Sequence, residues 1–268
     1  MIGFSITKNL EAVREHSPLV HNITNFVVMN NTANALLAAG ASPVMAHAME
    51  EVEDMSAISN ALVVNIGTLS PDWVKAMELA MKSARANGKP IILDPVGAGA
   101  TPYRTKTVNQ LMQLVAPDVI RGNASEISAL HSEEVRTKGV DSTRDSSTAS
   151  DAAHYLAQTY NCTTVVSGEV DYIVSVDESL KIHNGTSLMS KVTGMGCTAS
   201  ALIGAFSAVS KTAFEASSSA MAIMGISGEL AGKKADGPGT LQLHLLDSLY
   251  RLTESDISSN LNIDYDYA

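Results

Sequence analysis

Residues 60–95, NALVVNIGTLSPDWVKAMELAMKSARANGKPIILDP, decide the fold. Ala61–Ile66 is a short apolar run that ends at Gly67, as a buried strand does. Ser70-Pro71-Asp72 then supplies a helix N-cap and a proline at the first helical position, where its missing N–H has no partner to lose. Val74, Met77, Ala80, Met81 and Ala84 recur on one helical face, and Gly88 stops the helix. Pro90–Leu93 begins a second strand, which leads into Asp94-Pro95 and the turn Gly97-Ala98-Gly99. Strand, helix and strand in this order form the crossover that joins parallel strands.

The same alternation continues outward. Val108, Leu111, Met112 and Val115 mark another amphipathic helix before Pro117, and Asp118–Ile120 is a short strand leading to Arg121-Gly122-Asn123. A helix over Asp151–Tyr160 and a β-branched strand at Thr163–Val166 follow. The pattern predicts an α/β fold with a mostly parallel central sheet and helices on both faces. Tyr172–Val176 and Leu180–His183 read as an antiparallel hairpin at a sheet edge, and the polar stretch His131–Ser150 reads as a surface loop or flap. Beyond Gly196 the chain is mostly helical, over Ala199–Val209, Phe214–Leu230 and Leu241–Leu252. No repeat or linker divides residues 1–268, so one domain is expected, with a loosely held acidic tail over about 254–268.

Composition narrows the function. Hydrophobic residues make up 45% of the 268 and charged residues 17%, enough apolar material for a large core and too little charge for a disordered chain. A net charge of −10 argues against a general electrostatic grip on nucleic acid or acidic lipid. Only Cys162 and Cys197 occur, which suits a reducing compartment. With no apolar leader at the start and no long apolar run, a soluble cytoplasmic protein is expected, and an enzyme is the leading class.

Thr193-Gly194-Met195-Gly196-Cys197-Thr198, directly before the apolar helix ASALIGAF, is the strongest local signal. Successive N–H groups freed by two glycines at a helix start make an anion-binding cup, although such a turn also serves close packing. The spacing Gly194, Gly196, Ala199 loosely fits a dinucleotide fingerprint. That pattern requires an acidic residue after a strand about 20 positions on, whereas Glu215 lies in a helical stretch. Asp94 and Glu126 follow two parallel strands, at the edge where open α/β sheets bind ligands, and a pair of carboxylates there suits Mg2+. The competing reading has Glu126 capping a helix begun at Asn123 and Asp94 closing a turn. Arg121 beside them suits a phosphate or a surface ion pair. P-loop, nucleophile-elbow and zinc-helix patterns are all missing, so the residues describe a phosphate-handling α/β enzyme.

Together these segments resemble the hydroxyethylthiazole kinase family of thiamin salvage, in the ribokinase-like superfamily. The resemblance rests on Val20–Val27 (VHNITNFV), Gly40–Met45 (GASPVM), Asn65–Thr68, Asp94–Ala100, Gly122–Ile127, Val192–Cys197 and Gly237–Thr240. It implies a transferase that phosphorylates the primary alcohol of 4-methyl-5-(2-hydroxyethyl)thiazole with ATP and magnesium, as a homotrimer with the thiazole held where subunits meet. It also implies thiazole contacts at Met45 and Gly194, with Asn25 and Gly67 nearby, and ATP contacts at Arg121 and Ser167. Asp94 and Glu126 become the metal-binding carboxylates, and Gly194, Gly196 and Cys197 the catalytic segment. Where many sugar kinases of the superfamily carry an aspartate base, this chain has Cys197, either a weak base with its pKa lowered by the helix N-terminus or a packing residue.

Overall fold

The computed structural model describes residues 2–137 and 149–267. The crossover unit forms as its sequence dictates. Strand β3 (Ala61–Asn65) leads to helix α4 (Pro71–Ala86), whose N-cap Ser70 accepts a hydrogen bond from the Trp73 N–H, and on to β4 (Ile91–Asp94). Before it lie α1 (Ile2–His16), β1 (Leu19–Ile23), α2 (Met29–Ala39), β2 (Ser42–Val44) and α3 (Val52–Ile58). After it come α5 (Pro102–Leu114), β5 (Val119–Asn123), α6 (Ala124–Thr137), α7 (Ala149–Tyr160) and β6 (Thr163–Ser167). The chain closes with β7 (Asp171–Val174), β8 (Glu178–Ile182), a 3-10 turn at Ser187–Lys191, α8 (Met195–Ser207), α9 (Ala213–Gly232), α10 (Pro238–Arg251), α11 (Glu254–Asn260) and β9 (Ile263–Tyr267).

The described strands form one sheet in the order β2-β1-β3-β4-β5-β6-β7-β8-β9. The first six pair parallel and the last three join antiparallel. Alternation along each strand feeds two cores. Ala61, Val63 and Ile92 face the cluster built with α1, α2, α8, α9 and α10, while Leu62, Val64, Ile91 and Leu93 face α4, α5, α6 and α7. The α/β sheet with helices on both faces is therefore as expected. No described helix is long and apolar enough to cross a membrane.

Two expectations change. Helix α6 runs to Thr137 and α7 starts at Ala149, so both ends of the anticipated loop His131–Ser150 are helical; residues 138–148, and the flap placed on them, lie outside the described residues. The tail is not loosely held, and the hairpin is not the sheet edge. Buried Ile257 docks α11, and β9 pairs with β8 from Ile182↔Ile263 to Glu178↔Tyr267. Asn184 secures the junction, donating to the Asn260 carbonyl at 2.7 Å and accepting from the Asn262 N–H at 2.8 Å. In IDYDY, Ile263 and Tyr265 pack on the core while Asp264 faces outward, so acidic composition concealed an alternating strand.

Helix α8 lies directly on the sheet, buried from Thr198 to Phe206. Gly204 makes this possible, because a Cβ there would sit 2.6 Å from Val63 Cγ2 and 3.1 Å from Val20 Cγ1. Gly204→Ala is expected to lift the helix and destabilise the protein by about 1–3 kcal/mol. Urea unfolding checks this: the midpoint should fall with an unchanged slope.

Candidate active site

In the order β2-β1-β3-β4-β5 the chain first winds to one side of β1 and then to the other. The crevice at such a reversal, outside the carboxyl ends of the strands, is where open α/β sheets bind ligands. Asn25 follows β1 at this crevice, and Asn65 and Asp94 are register partners at the ends of β3 and β4. Arg121 and Asn123 lie on β5, with Asn123 paired to Ser167 on β6. The N-terminus of α8 brings Gly194, Gly196 and Cys197 to the same edge, and half-buried Met45 stands just past β2.

Asn65 ties these pieces together. Its Oδ1 accepts from Asn25 Nδ2 at 2.9 Å and from the Gly67 N–H at 3.0 Å. Its Nδ2 donates to Asp94 Oδ2 at 2.8 Å and to Cys197 Sγ at 3.2 Å. Both donors and both acceptor directions of the amide are thus used, and the Gly67 N–H fixes which way it points. Gly67 has to be glycine, since a Cβ would lie 2.6 Å from Asn25 Nδ2.

Asp94 is fully buried, and Ser200 Oγ donates to its Oδ2 at 2.8 Å. Its Oδ1 has no partner among the described residues. Burial pushes its pKa up to about 6, opposed chiefly by the Arg121 charge and by the Ser200 hydrogen bond. Cys197 is affected similarly: burial and then the neighbouring Asp94 push its thiol up to about 11, against the amides of Asn65 and Asn25. Of the two readings of Cys197, this direction goes against a thiol lowered by the helix start. A thiol raised this far is neutral at pH 7.

The two cup glycines are required for different reasons. Gly194 has φ +84°, and a Cβ there would meet Val28 Cγ1 at 2.8 Å. At Gly196 a Cβ would meet Arg121 Nη1 at 2.4 Å, so the missing side chain is what lets the guanidinium lie beneath the helix start. Arg121 is only 8% exposed, donates to Ser167 Oγ, and has a buried Nε without a partner among the described residues. A buried guanidinium with spare donors at an anion cup is not a surface ion pair.

Glu126 does the capping work of its alternative reading. Its Oε2 accepts from the Asn123 N–H at 2.8 Å, Asn123 Oδ1 accepts from the Glu126 N–H at 3.0 Å, and Oε1 accepts from the Gly97 N–H at 2.8 Å. Among the described residues no group of three or more His, Cys, Asp or Glu forms a metal cage. Mg2+ needs none, binding through one or two carboxylates together with phosphates and water. The orphaned Asp94 Oδ1 and the lone pairs left on Glu126 fit that requirement.

Residues outside the sequence expectations complete the setting. Buried His21 donates from Nε2 to the Ala46 carbonyl at 2.7 Å, which leaves Nδ1 to accept from Ser56 Oγ at 3.0 Å; this holds the turn after Met45. Arg104 holds the turns after β3 and β4. Ser200 was visible only as a polar residue interrupting an apolar run, and Asn65 only as the start of a resembling segment, with no sign of either one's partners.

Cys197 is expected to alkylate slowly with iodoacetamide at about pH 8, with the rate still climbing above about pH 9. Mass spectrometry of the labelled thiol gives the profile, and a plateau below about pH 8 would contradict the raised pKa.

Comparison with known proteins places the chain in a family. The sequence profile of the hydroxyethylthiazole kinase family matches residues 10–255. Hydroxyethylthiazole kinase of Syntrophus aciditrophicus is 60% identical over 255 residues, covering 95% of this chain and 94% of that protein. The solved hydroxyethylthiazole kinase structure from Pyrococcus horikoshii OT3 is 44% identical with a TM-score of 0.90, covering 97% of this chain and 98% of that one. A ribokinase-like superfamily protein from Enterococcus faecalis V583 is 13% identical with a TM-score of 0.63, covering 92% of this chain and 89% of that one, and so shares the fold alone. A profile match across nearly the whole chain, together with such identity, shows that this chain belongs to the hydroxyethylthiazole kinase family, ribokinase-like ATP-dependent enzymes that phosphorylate the thiazole alcohol in thiamin salvage.

Proposed function

We propose that this chain performs the family reaction as a single kinase domain over residues 1–268, relying on positioning and charge neutralisation rather than a strong base. The observation that carries the reading is the stacking of the α8 N-terminus on the buried Arg121, beside the Asn25–Asn65–Asp94 network. The hydroxyethyl acceptor lies along Asn25, Met45 and Gly67 at the strand-order reversal, with its hydroxyl directed to the Gly194–Cys197 segment. ATP lies along Arg121 and Ser167, its terminal phosphate in the cup. Asp94 and Glu126 would hold Mg2+, which would supply charge neutralisation at the phosphates.

The N–H groups of Gly194–Cys197 and the Arg121 guanidinium face the oxygens on which charge accumulates during transfer. Cys197 stays a thiol at neutral pH, and its sulfur accepts two amide hydrogen bonds that hold it still. The alcohol loses its proton late, as a loose transition state permits, so no strong base is needed.

Assembly as a homotrimer of this cytoplasmic enzyme, with subunits meeting at the acceptor, is our reading; exposed apolar side chains beside the acceptor support the subunit contact. Phe26 and Val27 are each 64% exposed immediately after Asn25, and Phe26 leans on Trp73 with ring centroids 4.7 Å apart. Apolar groups so exposed beside a site are commonly covered by another surface. Light scattering should show three copies of the 28.2 kDa chain, with activity falling on dilution; a fully active monomer removes the assembly.

Steady-state ADP release with the thiazole alcohol tests the residue roles. Arg121→Ala is expected to raise the KM for ATP with little change in that for thiazole, and Met45→Ala to do the reverse. Cys197→Ser should lose less than about 10²-fold in kcat, whereas Gly194→Val should lose nearly all activity while circular dichroism shows a folded protein. Equal losses in the last two would make the thiol essential and return Cys197 to the role of base.

A further inference from the structure

Arg104 stands at the third position of α5, where the Thr101 hydroxyl caps its backbone N–H. A cation in the first helical turn opposes the positive end of the helix dipole, so local preference does not explain it. No carboxylate among the described residues forms an ion pair with it. Its guanidinium is spent on three main-chain carbonyls. Nη1 donates to Ile66 O at 2.9 Å and to Val96 O at 2.7 Å, and Nη2 donates to Gly67 O at 2.8 Å.

These carbonyls belong to two different turns. Ile66 and Gly67 leave β3 and form the wall that closes on Asn25, whereas Val96 leaves β4 next to Gly97, whose N–H holds Glu126 Oε1 at 2.8 Å. Gly97 is shaped for the arrangement: its φ is +75°, and a Cβ there would press on Arg104 Cδ and Nη1 at 3.1 Å. Strand pairing between β3 and β4 ends at Asn65↔Asp94, followed only by the bond from the Ile66 N–H to the Asp94 carbonyl at 3.2 Å. Beyond that register position, the spacing of the two turns is bridged by the guanidinium.

We propose that Arg104 is a positioning residue for phosphoryl transfer, fixing the acceptor-side turn at Gly67 against the carboxylate-side turn at Val96–Gly97. It touches no reacting atom. The inference rests on the placement of the acceptor beside Asn25, Met45 and Gly67. A planar fork with several fixed donors is what three converging carbonyls require, and one ammonium does not reproduce it. Loss of the bridge shifts the acceptor relative to the phosphate, and a misplacement of about 1 Å costs on the order of 10²-fold in rate.

The test is steady-state kinetics of Arg104→Ala and Arg104→Lys against both substrates, with Met45→Ala in the same assay. Both Arg104 variants are expected to lower kcat by about 10- to 100-fold and to raise the KM for the thiazole alcohol, with the KM for ATP held within about two-fold. Guanidinium chloride at low, non-denaturing concentration should restore part of kcat in Arg104→Ala and none in Arg104→Lys, whose side chain still fills the space. Should Arg104→Ala fail to fold, Arg104→Lys carries the same kinetic split alone. Kinetics equal to the parent, full activity in Arg104→Lys, or ATP and thiazole KM values rising together would overturn the proposal. If Met45→Ala leaves the thiazole KM unchanged, the acceptor placement falls and takes this inference with it. If Met45→Ala raises that KM while the Arg104 variants behave like the parent, only the role of Arg104 is lost.

Discussion

The close seating of α8 on the sheet governs the rest of the molecule. Its 13 residues are apolar on nearly every side, which suits a helix enclosed between a sheet and a second helical layer. Two glycines set its depth at opposite ends. Gly204 lets the backbone approach Val63 and Val20, and Gly196 lets the helix start come down on Arg121. A change at either position lifts the anion cup away from the strand ends. Packing and chemistry therefore share one distance, which is why neither glycine is simply a flexible joint.

That seating also explains the electrostatics. A buried carboxylate and a buried guanidinium near one another are expensive to desolvate, and here each keeps an unpartnered atom, Asp94 Oδ1 and Arg121 Nε. Among the described residues, the folded state thus leaves polar capacity unused at this edge of the sheet. The pKa of Asp94, raised to about 6, expresses the same imbalance. The folded state holds this proton more tightly than the unfolded chain, so the contribution of Asp94 to stability declines as pH rises from about 4 to about 6 and then levels off.

Much of this was legible in the chain itself. The β3–α4–β4 unit announced its strands by apolar runs and its helix by Ser70-Pro71, and both behave as written because local and tertiary preferences agree there. The acidic tail misled, because Asp264 and Asp266 dominate the composition while the alternate Ile263 and Tyr265 do the packing. The two readings of Cys197 stayed open in the sequence for an electrostatic reason: a helix start was visible there, but the buried Asp94 near the sulfur was not. Asn65, His21 and Arg104 act through partners that are remote in sequence, so no local pattern could assign them. The placement of Asp94 and Arg121 was legible because strand ends are predictable, and strand ends in a parallel sheet converge on one edge.

The two margins of the sheet show how the protein keeps to itself. A long parallel sheet leaves main-chain donors and acceptors free on its outermost strands, and these invite another chain to add on. One margin is β2, only three residues long and carrying Pro43, which has no N–H to offer. The other among the described residues is β9, where outward-facing Asp264 would meet like charge on a second copy laid alongside. The tail that seemed an afterthought in the sequence thus works as a charged hem, deterring runaway stacking while it completes the sheet.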